Sequence, residues 1–249
     1  MIKVLGFCAS PRLGNSKFLL ERALEAAKKH GEEIGVEVVT EYATIRGKKL
    51  SGCVMCQSCM KDGVCAIKDD FAAMQEQWYD ADVILYSVPV YHMGMPAQMK
   101  AFIDRLGNAN FGRRHRIFGE MGNCTMKPLQ VIGCIAQGIH TASGQEHTIT
   151  QVMNHATISG AVMATGDGWE SYIGAGGWTR NEESRNAIEE QLKDDVWDAK
   201  IVTFSAETMA RRAVEMALII KRGIQNAPEI SEMPAYISLN KRISDHEKV

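Results

Sequence analysis

The chain has 249 residues, a formal net charge of −2 and seven cysteines. This length suits one large α/β domain or a domain with an extension, and the nearly balanced charge gives no electrostatic case for binding nucleic acid or an anionic membrane. No apolar run is long enough to cross a bilayer, and the short first apolar run indicates a strand rather than a signal peptide. We therefore expect a cytoplasmic protein whose cysteines stay reduced, so that they can bind metal or take part in redox chemistry.

Strands and helices alternate along most of the chain. The apolar run at 2–7 has the continuous pattern of a strand that is buried on both faces. The same reasoning predicts further strands at 36–42, 82–87, 129–135 and 160–165, with helices between them at 16–30, 69–79, 96–106 and 144–159. This alternation predicts a doubly wound parallel sheet, in which ligands bind beyond the carboxyl ends of the strands.

The loop after the first strand has the composition of an anion site. Ser10, Asn15 and Ser16 supply short polar side chains, and Arg12 supplies a cation that suits phosphate oxygens. The loop opens a helix, whose first N–H groups and positive dipole end favour a bound anion. It lacks the spacing of dinucleotide loops and of P-loops, so we expect it to bind a single terminal phosphate. An ordinary capped turn would use the same residues.

Four cysteines follow within one short segment. A C-x2-C-x2-C-x5-C run in the loop 50–68 is formed by Cys53, Cys56, Cys59 and Cys65. The tight spacing of the first three is typical of ligands to one iron–sulfur cubane, and we expect Cys65 to complete a [4Fe–4S] site. Zinc is an alternative, although structural zinc sites more often use two separated pairs; redox thiols without metal are another. We interpret Cys8, Cys124 and Cys134 as small buried side chains.

The loop after the third strand suits a flat heteroaromatic ring. It offers an aromatic side chain, backbone N–H groups and a glycine that permits close approach, through Pro89, Val90, Tyr91, His92, Met93 and Gly94. Packing alone would also explain Tyr91 and the methionines. His92, with Tyr91 beside it, is a candidate to donate a proton to a reduced substrate, but the sequence identifies no partner for it and no other catalytic residue.

Three segments do not fit the simple alternation. The stretch 108–127 is interpreted as a loop insertion. It contains a basic run, Arg113, Arg114, His115 and Arg116. This run either binds an acidic ferredoxin or a substrate carboxylate, or it is simply exposed to solvent. The glycine- and tryptophan-rich stretch 166–178 either covers the active site or is a packed loop. The region 181–249 is predicted to be a helical extension, packed on the domain or at an interface between subunits.

Four motifs occur in order along the chain. They are Ser10-Pro-Arg-x-Gly-Asn-Ser16, Pro89-Val-Tyr91-x-x-Gly94, Lys100-x-Phe102-x-Asp104-Arg105, and Gly138 followed by Ser143-Gly-Gln-Glu146. Together they resemble the motifs of the NADPH-dependent FMN reductase family of flavodoxin-like proteins, over about residues 1–180. Because the four-cysteine run lies between the first and second motifs, the chain is most similar to the iron–sulfur flavoprotein subgroup.

The resemblance implies a five-stranded parallel sheet in the order 2-1-3-4-5, within a domain at 1–180 that carries the cysteine loop, and FMN at the switch point of the sheet. It implies that the FMN phosphate is held by Ser10, Arg12, Asn15 and Ser16. It also implies that the isoalloxazine ring lies along residues 89–94 and is closed on its other side by Gly138. Members of the family are commonly dimers or tetramers, so we expect a homodimer or a homotetramer.

The resemblance further implies an FMN-dependent oxidoreductase. A [4Fe–4S] cluster would pass single electrons to FMN, which would exchange them with a small molecule or a protein, and NAD(P)H or ferredoxin would be the donor. Two alternatives stay open. One is an NAD(P)H-dependent FMN or quinone reductase with structural cysteines, and the other is a flavodoxin-like electron carrier without a substrate of its own.

Overall fold

A parallel sheet lies at the centre of the molecule. The computed structural model describes the backbone of residues 1–118 and 127–248, and the side chains of residues 1–113 and 127–248. Its strands are β1 Ile2–Cys8, β2 Val38–Thr44, β3 Val83–Pro89, β4 Val131–Gly138, β5 Val162–Met163 and β6 Ala175–Trp178. They are ordered β2-β1-β3-β4-β5, β6 also pairs with β4, and each of these pairs is parallel. The predicted order 2-1-3-4-5 is therefore confirmed.

Helices cover both faces of this sheet. They are α1 Asn15–Glu33, α2 Phe71–Asp80, α3 Ala97–Phe118, α4 Gln145–Ser159, α5 Ala187–Lys193, α6 Trp197–Gln225, α7 Pro228–Ser231 and α8 Ile237–Glu247. One core cluster joins the sheet to α1 and α6, and a second joins it to α2, α3 and α4. Strands β3 and β4 are buried along their whole length, which explains why their sequences are continuously apolar.

The sheet edge beside β4 is built from two short strands. β5 pairs with the first residues of β4, and β6 pairs with the last ones. The sheet thus has six strands where the sequence predicts five, and part of the stretch 166–178 is strand rather than loop. The sequence conceals β6 because Gly177 carries no apolar side chain; a Cβ there would overlap Val202 of α6.

Helix α3 is longer than the sequence predicts. It continues to Phe118, so the predicted loop insertion at 108–127 is wrong for 108–118, while 119–126 lies outside the described residues. Gly107 and Gly112 lower the intrinsic helix propensity of this stretch by roughly 1 kcal/mol each relative to alanine, which is why the pattern indicates a loop. Gly112 is tolerated because the cysteine loop packs against it.

The basic run of α3 is used at least partly inside the chain. Arg113 forms an ion pair of 2.5 Å with Glu76, and its guanidinium lies 3.5 Å from the centre of the Tyr79 ring. The backbone of residues 114–116 is helical, but their side chains lie outside the described part of the chain. Docking of a partner by this run stays a prediction.

The C-terminal helices pack on the sheet of their own chain. α6 lies along α1 and buries Val202, Met209 and Val214 in the core cluster that the two helices share. This is one of the two placements expected for the extension; a role in a subunit interface stays a prediction, as does a domain boundary at residue 180. In the ranges 1–118 and 127–248, no helix has the length and apolarity needed to cross a membrane.

A buried charge network fastens the extension to the start of β3. Asp82 is 2% exposed and accepts hydrogen bonds from the Lys3 N–H (3.0 Å), Lys221 Nζ (3.2 Å) and Arg242 Nε (3.0 Å), while His246 Nδ1 lies 3.2 Å away. Burial alone raises the pKa of Asp82, but His246 and the charges of Arg242 and Lys221 outweigh it and hold that pKa far below its usual range. The network joins α6, α8 and the sheet at the edge opposite the carboxyl ends.

Candidate active site

Three loops meet at the carboxyl ends of β1, β3 and β4. The Ala9 N–H donates to the Ser87 carbonyl and the Val90 N–H donates to the Gln137 carbonyl, each at 2.8 Å. The second and third loops also touch, because a Cβ on Gly144 would lie 2.5 Å from the Met93 carbonyl oxygen. The sheet therefore brings together the first, second and third predicted loops at one place, which is where a doubly wound sheet binds its ligands.

The first loop leaves the amino end of α1 open to an anion. Gly14 precedes this helix at φ +153°, no side chain caps its first turn, and that turn contains no acidic residue. Arg12 is exposed, and its guanidinium has no ion-pair partner among the described residues. Free helical N–H groups and an unpaired cation together suit a phosphate.

The serines of this loop are buried beside the helix start. The Ser10 hydroxyl donates to the Arg12 carbonyl (2.7 Å) and accepts from the Arg12 N–H (3.3 Å), so it shapes the turn that carries Arg12. Ser16 is buried, and its carbonyl accepts a hydrogen bond of 2.7 Å from the Ser87 hydroxyl. That bond fastens the first turn of α1 to β3.

The extension forms the back of this loop. Asn15 Nδ2 donates to the Ser184 carbonyl (3.3 Å), and Asn15 Oδ1 accepts from the Ile188 N–H (3.0 Å). A Cβ on Gly14 would lie 2.5 Å from the Arg185 carbonyl oxygen. The side chain of Asn15 thus links the loop to residues 184–188, a contact that sequence reasoning missed; direct contact between Asn15 and the phosphate stays a prediction.

The second loop contains a tight two-residue turn. Tyr91 and Gly94 exchange backbone hydrogen bonds of 2.8 and 3.0 Å, with His92 at φ 47° and Met93 at φ 68° between them. Positive φ at a residue other than glycine costs about 1 kcal/mol or more, and such strain concentrates at functional sites. The side chains of Tyr91, His92 and Met93 are exposed, so the turn presents them to a ligand.

The third loop is closed around Gly138. A Cβ there would overlap the Ser143 hydroxyl and lie 2.9 Å from Gln145 Nε2, so only glycine fits. The buried Gln145 fixes the loop: its Nε2 donates to the carbonyls of His140 (2.7 Å) and Gly177 (3.2 Å), and its Oε1 accepts from the Ser143 N–H (3.0 Å). Gln145 belongs to the motif noted in the sequence, but its role there depends on β6.

The cysteine loop gathers its four thiols around one cavity. The cavity is lined by Cys53, Cys56, Cys59 and Cys65, together with Arg105 and Asn108 of α3. Burial and the neighbouring thiols of Cys65, Cys53 and Cys56 raise the pKa of Cys59, which reflects how close the four groups lie. Hydrogen bonds from Ser58 lower the pKa of Cys56. The six cysteines in the described ranges are free, and Cys8 and Cys134 are buried as predicted; Cys124 lies outside the described residues.

Four thiols around one cavity are the donor set that a [4Fe–4S] group takes. In the described part of the chain, no three His, Cys, Asp or Glu side chains are arranged to hold one metal ion. A [4Fe–4S] group needs its four thiolates spread around a cubane, and sulfurs that line a common cavity match that need. N–H groups of Met55 and of the Asn108 side chain donate to the sulfur of Cys53 (3.4 Å each), as expected around a thiolate-bound group.

Helix α3 is the support of the cysteine loop. A Cβ on Gly112 would overlap the Cys59 carbonyl and lie 2.7 Å from the Gly63 nitrogen, so the loop rests directly on the helix backbone. Arg105 Nη2 donates to Cys65 Sγ at 3.3 Å. Sequence reasoning gave Arg105, Asn108 and Gly112 no role at the cysteines. Their spacing of three and four places them on one helical face, and that signal was hidden by ending the helix at 106.

Comparison with known proteins agrees with this geometry. The family model for NADPH-dependent FMN reductase matches residues 2–170. An iron–sulfur flavoprotein of Archaeoglobus fulgidus is 33% identical over 179 residues, which cover 72% of this chain and 83% of the relative. Another from Methanocaldococcus jannaschii is 34% identical over 177 residues, with coverages of 70% and 82%. The solved flavodoxin, WrbA-like protein of Agrobacterium tumefaciens has a TM-score of 0.52 at 13% identity, covering 87% of this chain and 96% of that one.

This chain belongs to the NADPH-dependent FMN reductase family. The matched model covers more than half of its length, and its relatives include iron–sulfur flavoproteins. The resemblance drawn from the motifs is therefore confirmed, the fold is flavodoxin-like, and the protein is an FMN-dependent oxidoreductase. Helices α5 to α8 lie beyond the region that the family model matches.

The two candidates for acid–base catalysis, Tyr91 and His92, are not held in place by other side chains in the described part of the chain. Neither the Tyr91 hydroxyl nor the His92 ring has a hydrogen-bond partner within the ranges that the structure describes, so no neighbouring group orients them. A proton donor normally needs a group that orients it. That group is either a neighbouring side chain, before the substrate binds, or the substrate itself. A catalytic role for Tyr91 or His92 stays a prediction.

Proposed function

We propose that this protein is an iron–sulfur flavoprotein oxidoreductase that passes electrons through a [4Fe–4S] cluster and FMN, to or from a small molecule or a protein redox partner. The observation that carries the proposal is the cavity lined by four cysteines, supported by helix α3, in a chain whose strand ends form three flavin-type loops. A reductase with only structural cysteines would not need thiols lining a common cavity with hydrogen-bond donors aimed at their sulfurs.

The flavin loops divide the binding of FMN between them. The open amino end of α1, with Arg12 and the buried Ser10 and Ser16, would hold the phosphate through N–H groups and charge. The strained turn at 91–94 would lie along the isoalloxazine, and the loop after Gly138 would close the opposite side. FMN accepts one or two electrons and a cluster only one, so together they can link one-electron and two-electron partners.

The cysteine loop would supply the cluster ligands Cys53, Cys56, Cys59 and Cys65. Two of these are exposed, and the loop also exposes apolar side chains, since Val54 is 71% and Met55 is 60% exposed. We propose that a homodimer or homotetramer covers this surface and brings the cluster of one chain near the flavin of another. Reduced ferredoxin or NAD(P)H would be the donor, in the reducing cytoplasm where thiol ligands persist.

The test is anaerobic purification followed by iron, acid-labile sulfide and flavin analysis. We expect about four iron atoms and four sulfides per chain, with FMN as the released flavin. Reduction with NADH, NADPH and reduced ferredoxin then identifies the donor, and light scattering gives the number of chains. Protein that holds FMN but neither iron nor sulfide after cluster reconstitution would contradict the proposal and favour a plain flavin reductase.

A further inference from the structure

We propose that Arg105 is a positioning residue that makes the cluster easier to reduce, acting through Cys65, and that Asp69 opposes it. The inference rests on the proposed function, because it concerns the cluster that the four cysteines would hold. It assigns the electrostatic control of the cluster to one ion pair at the base of the cysteine loop.

Arg105 is buried, and both of its terminal nitrogens are hydrogen-bonded, whereas its Nε has no partner among the described residues. Its side chain is 1% exposed, and its Nη1 forms an ion pair of 2.6 Å with Asp69 Oδ2. The guanidinium also lies 4.2 Å from the centre of the Phe71 ring. The guanidinium group therefore keeps its orientation when the charge of its surroundings changes.

The same guanidinium joins both ends of the cysteine loop. Nη1 donates to the Ser51 carbonyl (3.3 Å), before the first cysteine, and Nη2 donates to the Ile67 carbonyl (3.2 Å), after the last. Nη2 also donates to Cys65 Sγ at 3.3 Å. Arg105 therefore fixes where the loop begins and ends, and it contacts one of the four ligand sulfurs directly.

Three of the four sulfurs have polar contacts with the described residues, and these contacts differ in charge. In the described part of the chain, Cys53 receives the neutral N–H groups of Met55 and Asn108, and Cys56 contacts the neutral Ser58 hydroxyl. Cys65 receives a charged donor. The reduction potential of a cluster depends on its net charge, on hydrogen bonds to its sulfurs and on solvent exposure. A buried cation beside one sulfur stabilises the state that carries the extra electron, since burial strengthens its field.

Asp69 limits this effect. Its carboxylate faces the guanidinium and also accepts the N–H groups of Ser51 (2.9 Å) and Phe71 (3.2 Å). Burial alone would raise the pKa of Asp69, but the hydrogen bonds from Arg105, Ser51 and Phe71 outweigh it and keep that pKa below its usual value. The pair is therefore a fixed positive charge near the cluster, partly cancelled by a fixed negative charge behind it.

Two substitutions in this pair should move the potential in opposite directions. Arg105→Gln removes the cation and leaves the Asp69 carboxylate, so the cluster should become harder to reduce. Asp69→Asn removes the anion and leaves Arg105 uncompensated, so the cluster should become easier to reduce. A purely structural role would loosen the same loop in both variants and would shift them in the same direction.

The experiment is a redox titration of the intact holoenzyme and its variants, followed by cluster absorbance and electron paramagnetic resonance, with iron and sulfide measured on each sample. Lys48→Gln is the matched control, because Lys48 pairs with Asp70 at 3.1 Å near the same loop but lies on the surface; it should leave the potential unchanged. The flavin potential should stay nearly constant throughout.

Shifts of opposite sign support the inference. Variants that retain the cluster but titrate like the wild type, or that shift in the same direction, overturn it and leave the proposed function standing. If Arg105→Gln loses the cluster, the direction of the shift in the Asp69→Asn protein decides the question. A wild-type protein without iron and sulfide overturns the proposed function itself.

Discussion

The flavin loops and the cysteine loop are held in place in two different ways. The flavin loops continue from neighbouring strands, and backbone hydrogen bonds between β1, β3 and β4 fix their relative positions. The cysteine loop carries one short 3-10 turn, Ser58–Met60, among its described residues, and it is fixed by the side chains and the close backbone of α3. The first arrangement depends on the sheet, whereas the second depends on α3, with further hydrogen bonds to Asp69 and from Gln75 of α2.

The two regions should therefore respond separately to change. A substitution on the face of α3 that contacts the cysteine loop can displace that loop without disturbing strand pairing. A substitution at the amino end of α1 can weaken flavin binding without affecting the cysteines.

Cys56→Ala should abolish the cluster while FMN stays bound. The substitution removes one of the four proposed ligands from an exposed loop, and no strand depends on it. Iron, sulfide and flavin content per chain measure the result. Cys134→Ala is the matched control, because Cys134 is buried in β4 away from the cavity, and it should leave the iron content unchanged. Equal iron loss in both variants would show that the ligands are wrongly assigned.

Gly112→Ala should reduce cluster content by more than half and leave FMN content intact. The added methyl group would overlap the Cys59 carbonyl, so the loop must lift from α3. Gly107→Ala on the same helix meets no atom within 4 Å, and it should stabilise the protein by up to about 1 kcal/mol. If both alanine variants keep full cluster content, then α3 does not carry the loop.

Acid should release FMN together with global unfolding. The pKa of Asp82 is lowered in the folded protein, so the stability that it contributes is present above its pKa in the unfolded chain, about 3.9, and is lost progressively as the pH falls from that value towards the lowered pKa of the folded state. Asp82→Asn should lower the free energy of unfolding by about 3 kcal/mol at pH 7, since it leaves buried cations unpaired, and should flatten the acid dependence. Denaturant melts from pH 7 to pH 3 measure both effects.

Glu25→Gln serves as the control for this experiment. Glu25 is an exposed carboxylate of α1 and has no ion-pair partner among the described residues, so its loss should change the unfolding free energy by less than about 0.5 kcal/mol. Release of FMN at a pH where the far-ultraviolet signal is still native would show that the flavin loops are not fixed by the sheet.

Arg12→Ala should weaken FMN binding by about 1.5–3 kcal/mol, the scale of a charged hydrogen bond, and should not change the iron content. Equilibrium dialysis or flavin fluorescence measures the affinity. Arg22→Ala is the control, because Arg22 lies on α1, the helix that follows the Arg12 loop, but pairs with Glu207 at the surface. Unchanged affinity in the Arg12 variant would remove this residue from the phosphate site.

The sequence was sufficient for the parts of the fold that depend on local pattern. The apolar runs of β1, β3 and β4 are continuous because these strands are covered on both faces, and the helices between them indicated a doubly wound parallel sheet. The order of the strands came from the resemblance to the family. The anion-type loop before α1 and the four-cysteine run were also recognisable, since turn residues and cysteines carry their chemistry in their type and spacing.

The parts that failed depend on contacts between distant residues. β6 contains two glycines, and α6 packs directly against one of them, Gly177, so the strand has few apolar side chains to reveal it. Gly107 and Gly112 made the second half of α3 look like a loop, and only the cysteine loop resting on Gly112 explains the glycine there. The link from Asn15 to residues 184–188 could not be foreseen, because nothing in either segment identifies its partner.

That link bears on the order in which the protein matures during synthesis. Asn15 is hydrogen-bonded to Ser184 and Ile188, more than 160 residues further along the chain. The loop before α1, which we propose binds the FMN phosphate, is therefore supported by these residues only after α5 has left the ribosome and packed against it. Closing such a distant contact is slow compared with forming a helix or a turn. We therefore expect nascent chains that end before residue 184 to bind FMN weakly, and flavin capture to be among the last steps of biogenesis.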